Sequence, residues 1–107
     1  MDKNIEANTP WWWLKTMIER ITVDTVVHRG PALVFGLTIA SDGGGEADAK
    51  VYDGFNTGGR VKHDLYCADE EMYHAPFNPP VPFNNGIFVD IGTNCESVVV
   101  HYLPIQP

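Results

Sequence analysis

The chain carries four histidines, two cysteines and fourteen aspartates and glutamates, and their spacing decides what chemistry they offer. His28, His63, His74 and His101 stand 35, 11 and 27 residues apart, with no H-x-H pair and no spaced cysteine pair beside them. A cupin-type metal centre needs two histidines on one strand with a glutamate nearby, so no metal or other cofactor is expected. The loop holding Asp42, Glu46 and Asp48 lacks the alternating register and late bidentate glutamate of a calcium loop, and reads as a solvated turn. Glycoside hydrolysis needs two carboxylates at a set separation in a cleft, and fourteen acidic residues make some such pair inevitable without identifying one. No serine lies in a G-x-S-x-G elbow, and neither glycine cluster opens a helix as a phosphate loop would. Cys67 and Cys95 allow at most one bridge, and are expected to be reduced, partly buried thiols. No catalytic residue emerges, and the expectation is a protein that is not an enzyme.

Aromatic surface is the stronger signal. All three tryptophans are consecutive, in the stretch Thr9-Pro10-Trp11-Trp12-Trp13-Leu14. Neighbouring residues point to opposite faces of a strand, and three in a row span about 200° of a helix, so all three cannot enter one core together. Burying most of their surface removes roughly 600 Å² from water, about 15 kcal/mol gross. Ordering ten or so residues costs a comparable ~10–20 kcal/mol, so the segment profits from a surface to lie on. A membrane-interface anchor is disfavoured by the acidic flanks, which leaves a subunit contact or a platform for sugar rings.

Length and charge bound the class. A chain of 107 residues is one domain, and a charged fraction of 20% argues against disorder. Net charge is −7 with no Lys/Arg cluster, which predicts no direct contact with nucleic acid. No apolar run is long enough to span a membrane, and the start MDKNIEANTP lacks the apolar core of a secretory signal, so no membrane association and no export address are expected.

The elements that must carry these residues read as strands. Ile21, Val23, Thr25 and Val27 alternate along one segment that Gly30-Pro31 ends. Leu33, Phe35, Leu37 and Ile39 alternate with smaller residues and are expected on one inward face. Ala47, Ala49 and Val51 form the next inward face, and the turn Gly54 to Gly59 joins them to Val61, His63 and Leu65 as a hairpin. Met72 to Phe77 suits a short strand, and the prolines that follow exclude the next segment from a central ladder. Ile87, Val89 and Ile91, then Val98, Val100 and Tyr102, complete the pattern. Nothing after residue 30 looks helical, whereas Pro10 to about Glu19 fits either a short amphipathic helix, with Leu14, Met17, Ile18 and Ile21 on one stripe, or an extended arm. The prediction is an all-β antiparallel β-sandwich, jelly-roll-like, over residues 20–107, preceded by an aromatic arm or short helix over 1–19. Pro76, Pro79, Pro80 and Pro82 would blunt one sheet edge, and Arg60 and Lys62 would charge another.

Four stretches, Val27-His28-Arg29-Gly30-Pro31-Ala32-Leu33-Val34-Phe35-Gly36-Leu37, Ala49-Lys50-Val51-Tyr52-Asp53-Gly54 with Gly58-Gly59, Phe83-Asn84-Asn85-Gly86-Ile87-Phe88-Val89 and Val98-Val99-Val100-His101-Tyr102, resemble a group of small proteins encoded by tailed bacteriophages near their virion genes. The resemblance spans residues 27–103 and leaves the tryptophans outside it. It implies a virion structural subunit, made in the host cytoplasm: a capsid decoration, head-to-tail or fibre-attachment component. Such a subunit would be a homo-oligomer or bind other virion proteins of capsid, neck or tail. Candidate assembly residues are Trp11, Trp12, Trp13, Leu14 and Met17, with Tyr66, Tyr73, Phe77 and Phe83 from the sandwich. The alternative is a carbohydrate-binding module, with the tryptophans or Tyr66 and Tyr73 stacking on host glycans.

Overall fold

The structure, a computed structural model, describes residues 16–105. Eight strands form two four-stranded antiparallel sheets packed face to face as a β-sandwich, with no helix among the described residues. They are β1 (Met17–Ile21), β2 (Thr25–Arg29), β3 (Ala32–Ser41), β4 (Ala47–Asp53), β5 (Arg60–Cys67), β6 (Met72–Phe83), β7 (Gly86–Ile91) and β8 (Cys95–Pro104). One sheet has the order β1-β8-β3-β6 and the other β2-β7-β4-β5. The pairs are nested: β4 with β5, β3 with β6, β2 with β7 and β1 with β8, so the chain behaves as one long hairpin folded across two layers. The core between the layers is mostly aliphatic, built from Val34, Leu37 and Ile39 of β3, Val51, Leu65, Ile87 and Val89 from the facing sheet, and Val98 and Val100 of β8, with the rings of Phe83 and Tyr102.

Two sheet edges match their residue types. β6, with its four prolines, is an edge strand of the first sheet, and β5, with Arg60 and Lys62, is an edge strand of the second. Proline lacks the N–H a ladder requires and an edge asks for none on its outer side. The proline stretch is nonetheless strand: Val81, Pro82 and Phe83 pair with Val34, Leu33 and Ala32.

Three expectations need correction. The helical alternative for Pro10–Glu19 fails over its last residues, because Met17–Glu19 lie in β1 against Tyr102, His101 and Val100; residues 10–15 lie outside the described residues. The sheet therefore starts three residues earlier than the expected boundary at 20, and Met17 and Ile18 are exposed rather than stacked on a helical stripe. The alternation from Ile21 to Val27 is not one strand. The chain crosses between sheets at Thr22–Asp24, where the Thr25 hydroxyl donates to the Val23 carbonyl (2.6 Å) and the Asp24 carboxylate accepts the Ile91 N–H (2.8 Å). Such short polar side chains offer the backbone partners that compete with a ladder. Val23 is exposed in this turn while Ile21 is buried.

The third correction concerns β3. Val34 opposes Tyr102, but the next pairing with β8 is Gly36 to His101, so Phe35 is an extra residue on β3. A one-residue bulge inverts which face later residues take. Ala32 and Val34 point inward before it and Leu37 and Ile39 after it, while Leu33 and Phe35 sit half-buried on the outer face. Gly36 is buried where the ladder resumes, and a Cβ there would approach the His74 ring to 3.2 Å. The bulge separates two leucines that simple alternation puts together. Leu37→Ala should cost about 2–5 kcal/mol of unfolding free energy, and Leu33→Ala about 1 kcal/mol or less, as read from urea denaturation of each variant.

Candidate functional site

With Leu33 and Phe35 turned outward, the outer face of the β1-β8-β3-β6 sheet becomes apolar. A groove of about 630 Å³ lies on it, lined by Thr16, by Leu33 and Phe35 of β3, by Phe77, Asn78 and Pro80 of β6, and by His101 and Leu103 of β8. None of these residues is Asp, Glu, Lys, Arg or Cys. On the β6 side the wall is Phe77–Pro80, four residues set opposite the single bulged Phe35, since pairing with β3 stops at Pro76 and resumes at Val81. The rings of Phe35 and His101 are 5.5 Å apart across the groove floor. Phe77 packs edge-on against His63 of β5 at 5.1 Å, which closes the side of the sandwich and fixes the groove wall. Its aliphatic and aromatic side chains with a few polar groups suit contact with an apolar or aromatic ligand or partner.

The expected site residues separate into four groups. Trp11, Trp12, Trp13 and Leu14 lie outside the described residues, separated in sequence by Lys15 from Thr16 at the groove. Met17 is exposed at the start of β1, and Phe77 lines the groove. Tyr66 and Tyr73 are brought together at the other end of β3, 67% and 52% exposed, and line a shallow depression with Glu46, Cys67, Ala68, Glu71 and Met72. Phe83 is 2% exposed and packs in the core, with the Lys62 ammonium 6.0 Å from its ring, so as an interface residue it is a correction. It pairs with Ala32 before the bulge, where the β3 residues facing inward are Ala32 and Val34. Leu33, Phe35, Asn78, Pro80, His101 and Leu103 were not candidates. The signal for them was Gly36, because an isolated glycine inside a strand pattern often marks a bulge.

Several carboxylates accept backbone hydrogen bonds at turns. Asp42 accepts the Gly44 N–H (2.7 Å) and Asp48 accepts the Thr93 N–H (2.8 Å), so two acids of the calcium-like loop have structural partners. Buried Asp53 accepts the N–H groups of Asn84 (3.0 Å), Asn85 (2.8 Å) and Gly86 (3.4 Å), tying the end of β4 to the turn before β7. Burial alone would raise the Asp53 carboxyl, but these three donors and the charge of Lys62 outweigh it and hold it below the ordinary range. Asp90 is the opposite case: burial first, then the charge of Asp24 and a hydrogen bond with it, push its carboxyl up. Among the described residues no three His, Cys, Asp or Glu side chains converge as metal ligands. Cys67 and Cys95 are both free, and burial followed by the neighbouring Cys67 pushes the Cys95 thiol up to about 11, away from the thiolate a nucleophile needs. No described helix is long and apolar enough to cross a membrane.

No family model, curated protein or solved structure matches this chain.

The Asp53 network gives a pH signature. Its carboxyl is lowered in the fold, so its stabilisation is complete above the unfolded value of about 3.9 and is lost as pH falls through the lower folded value. Asp53→Ala, which leaves the three N–H groups without their acceptor, should cost about 2–3 kcal/mol at pH 7. The loss should shrink on acidification below pH ~4, as followed by urea unfolding across a pH series.

Proposed function

We propose that this chain is a non-enzymatic structural subunit of a tailed-bacteriophage virion. It would act as a decoration, head-to-tail or fibre-attachment component that associates with copies of itself or with capsid or tail proteins. The resemblance over residues 27–103 supplies the virion setting. The observation that carries the assembly reading is the apolar groove on the outer face of the β1-β8-β3-β6 sheet, bordered by Thr16, three residues after Trp13 in the sequence. An apolar groove next to a tryptophan-rich segment is the composition of a protein contact, where tryptophan is over-represented among residues that carry binding energy. Repeated subunits in a shell need little individual affinity, because neighbouring contacts add through effective concentration. We also read the nested strand pairs as a jelly roll, an architecture common to viral capsid and lectin domains, which supports the setting by analogy of fold alone.

One observation favours a second reading. Tyr66 and Tyr73 converge as exposed rings beside Glu46 and Glu71, the aromatic platform and carboxylate acceptors of a carbohydrate-binding module for host glycans. The two readings separate experimentally. Light scattering over a concentration series should give a defined oligomer for the full chain and a monomer for a version starting at Met17, which retains all eight strands. Identical monomers, together with glycan binding that Tyr66→Ala abolishes, would replace the assembly reading with the lectin-like one.

A further inference from the structure

The groove and the tryptophan segment meet at Thr16. We propose that the groove on the outer face of the β1-β8-β3-β6 sheet is the intramolecular seat of residues 11–14 of the same chain, occupied in the unassembled subunit. The proposal stands whether or not the protein assembles into a virion.

Four observations converge on this occupant. The first is reach. Leu14 lies two residues before Thr16 and Trp11 five, and an extended chain covers at most about 3.3–3.6 Å per residue, so the segment extends up to roughly 18 Å from Thr16. From β1 across β8 and β3 to the β6 wall is three strand spacings, about 14 Å. The segment is long enough to cross the groove. The second is chemistry. Leu33, Phe35, Phe77, Pro80 and Leu103 offer aliphatic and aromatic surface, and the rings of Phe35, Phe77 and His101 suit the offset and edge-on contacts that indoles favour. An indole is also a single N–H donor, and the polar groups of the lining include acceptors in the Asn78 amide and the His101 ring. The third is periodicity: in an extended segment Trp12 and Leu14 are in step with Thr16, so two large apolar residues share the face that Thr16 turns to the groove. The fourth is mass action. A tether of a residue or two gives the chain's own segment an effective concentration that a second copy in dilute solution does not match.

The chain supplies its own probe, because all three of its tryptophans lie in this segment. Acrylamide quenching and the emission maximum of the full-length protein would be recorded over a dilution series, with mass measured in parallel and a free peptide of residues 8–16 as the solvent-exposed reference. The seat predicts blue-shifted emission and quenching several-fold weaker than the peptide's, both unchanged on dilution to the monomer. Leu103→Lys and Leu33→Lys place a charge on the groove floor away from the core. Each should shift emission to the red and bring quenching to the peptide's level while the far-ultraviolet circular dichroism of the sandwich persists. Peptide-like emission from the wild-type monomer would overturn the proposal, as would shielding that persists in both folded lysine variants. Shielding lost on dilution, together with a fall in mass, would overturn it in favour of a second copy's segment as the occupant. If the lysine variants failed to fold, the wild-type dilution series would decide alone. A shielded monomer that never oligomerises would leave the seat standing while removing the assembly reading.

Discussion

The bulge at Phe35–Gly36 is the constraint on which the rest of this molecule depends. β3 lies inside its sheet, hydrogen-bonded to both β8 and β6, so an extra residue on it is felt on both sides. It returns Leu37 and Ile39 to the core, sends Leu33 and Phe35 to the outer face, and leaves Phe77–Pro80 to arch opposite a single residue. A sandwich without it would bury all four large β3 side chains on one face and present small ones outward. The bulge converts a sheet surface into a groove.

Several of the acidic residues act on the backbone where the chain turns. Asp24, Asp42, Asp48 and Asp53 each accept backbone N–H groups at points where a strand has ended and a ladder no longer supplies partners. A buried or half-buried N–H without an acceptor is costly, so turns that reverse the chain between two layers select short carboxylates. Four of the fourteen acidic residues serve such points. Asn94 and Glu70 take left-handed backbone in two turns, where the chain reverses within a few residues.

The tryptophans and the groove are two halves of one energetic problem. Three consecutive indoles represent a large apolar area whose burial roughly offsets the cost of ordering the segment that bears them. A preformed groove beginning at Thr16 lowers that cost, because its aromatic and aliphatic lining is already held by β3, β6 and β8.

Much of this was legible from residue order alone. Period-2 alternation placed the inward faces of β4, β7 and β8 at Ala47, Ala49 and Val51, at Ile87 and Val89, and at Val98, Val100 and Tyr102, because a half-buried strand leaves no other pattern. Glycine-rich turn chemistry identified the β4–β5 hairpin, and proline and Arg/Lys content marked β6 and β5 as edges, since each rests on a local property of the residue. What only the tertiary structure decided depended on partners distant in the chain. Alternation does not reveal that Ile21 and Thr25 belong to different sheets, because both faces of a crossing read alike until β7 and β8 are in place. Nor does it reveal that Phe35 is an extra residue of β3, since a bulge exists only relative to the strand opposite it, here at His101 and Tyr102 some 66 residues away. Phe83 and Phe77 look equivalent as aromatics in a proline-rich stretch, yet one fills the core and the other walls the groove, a difference set by where each falls relative to that bulge.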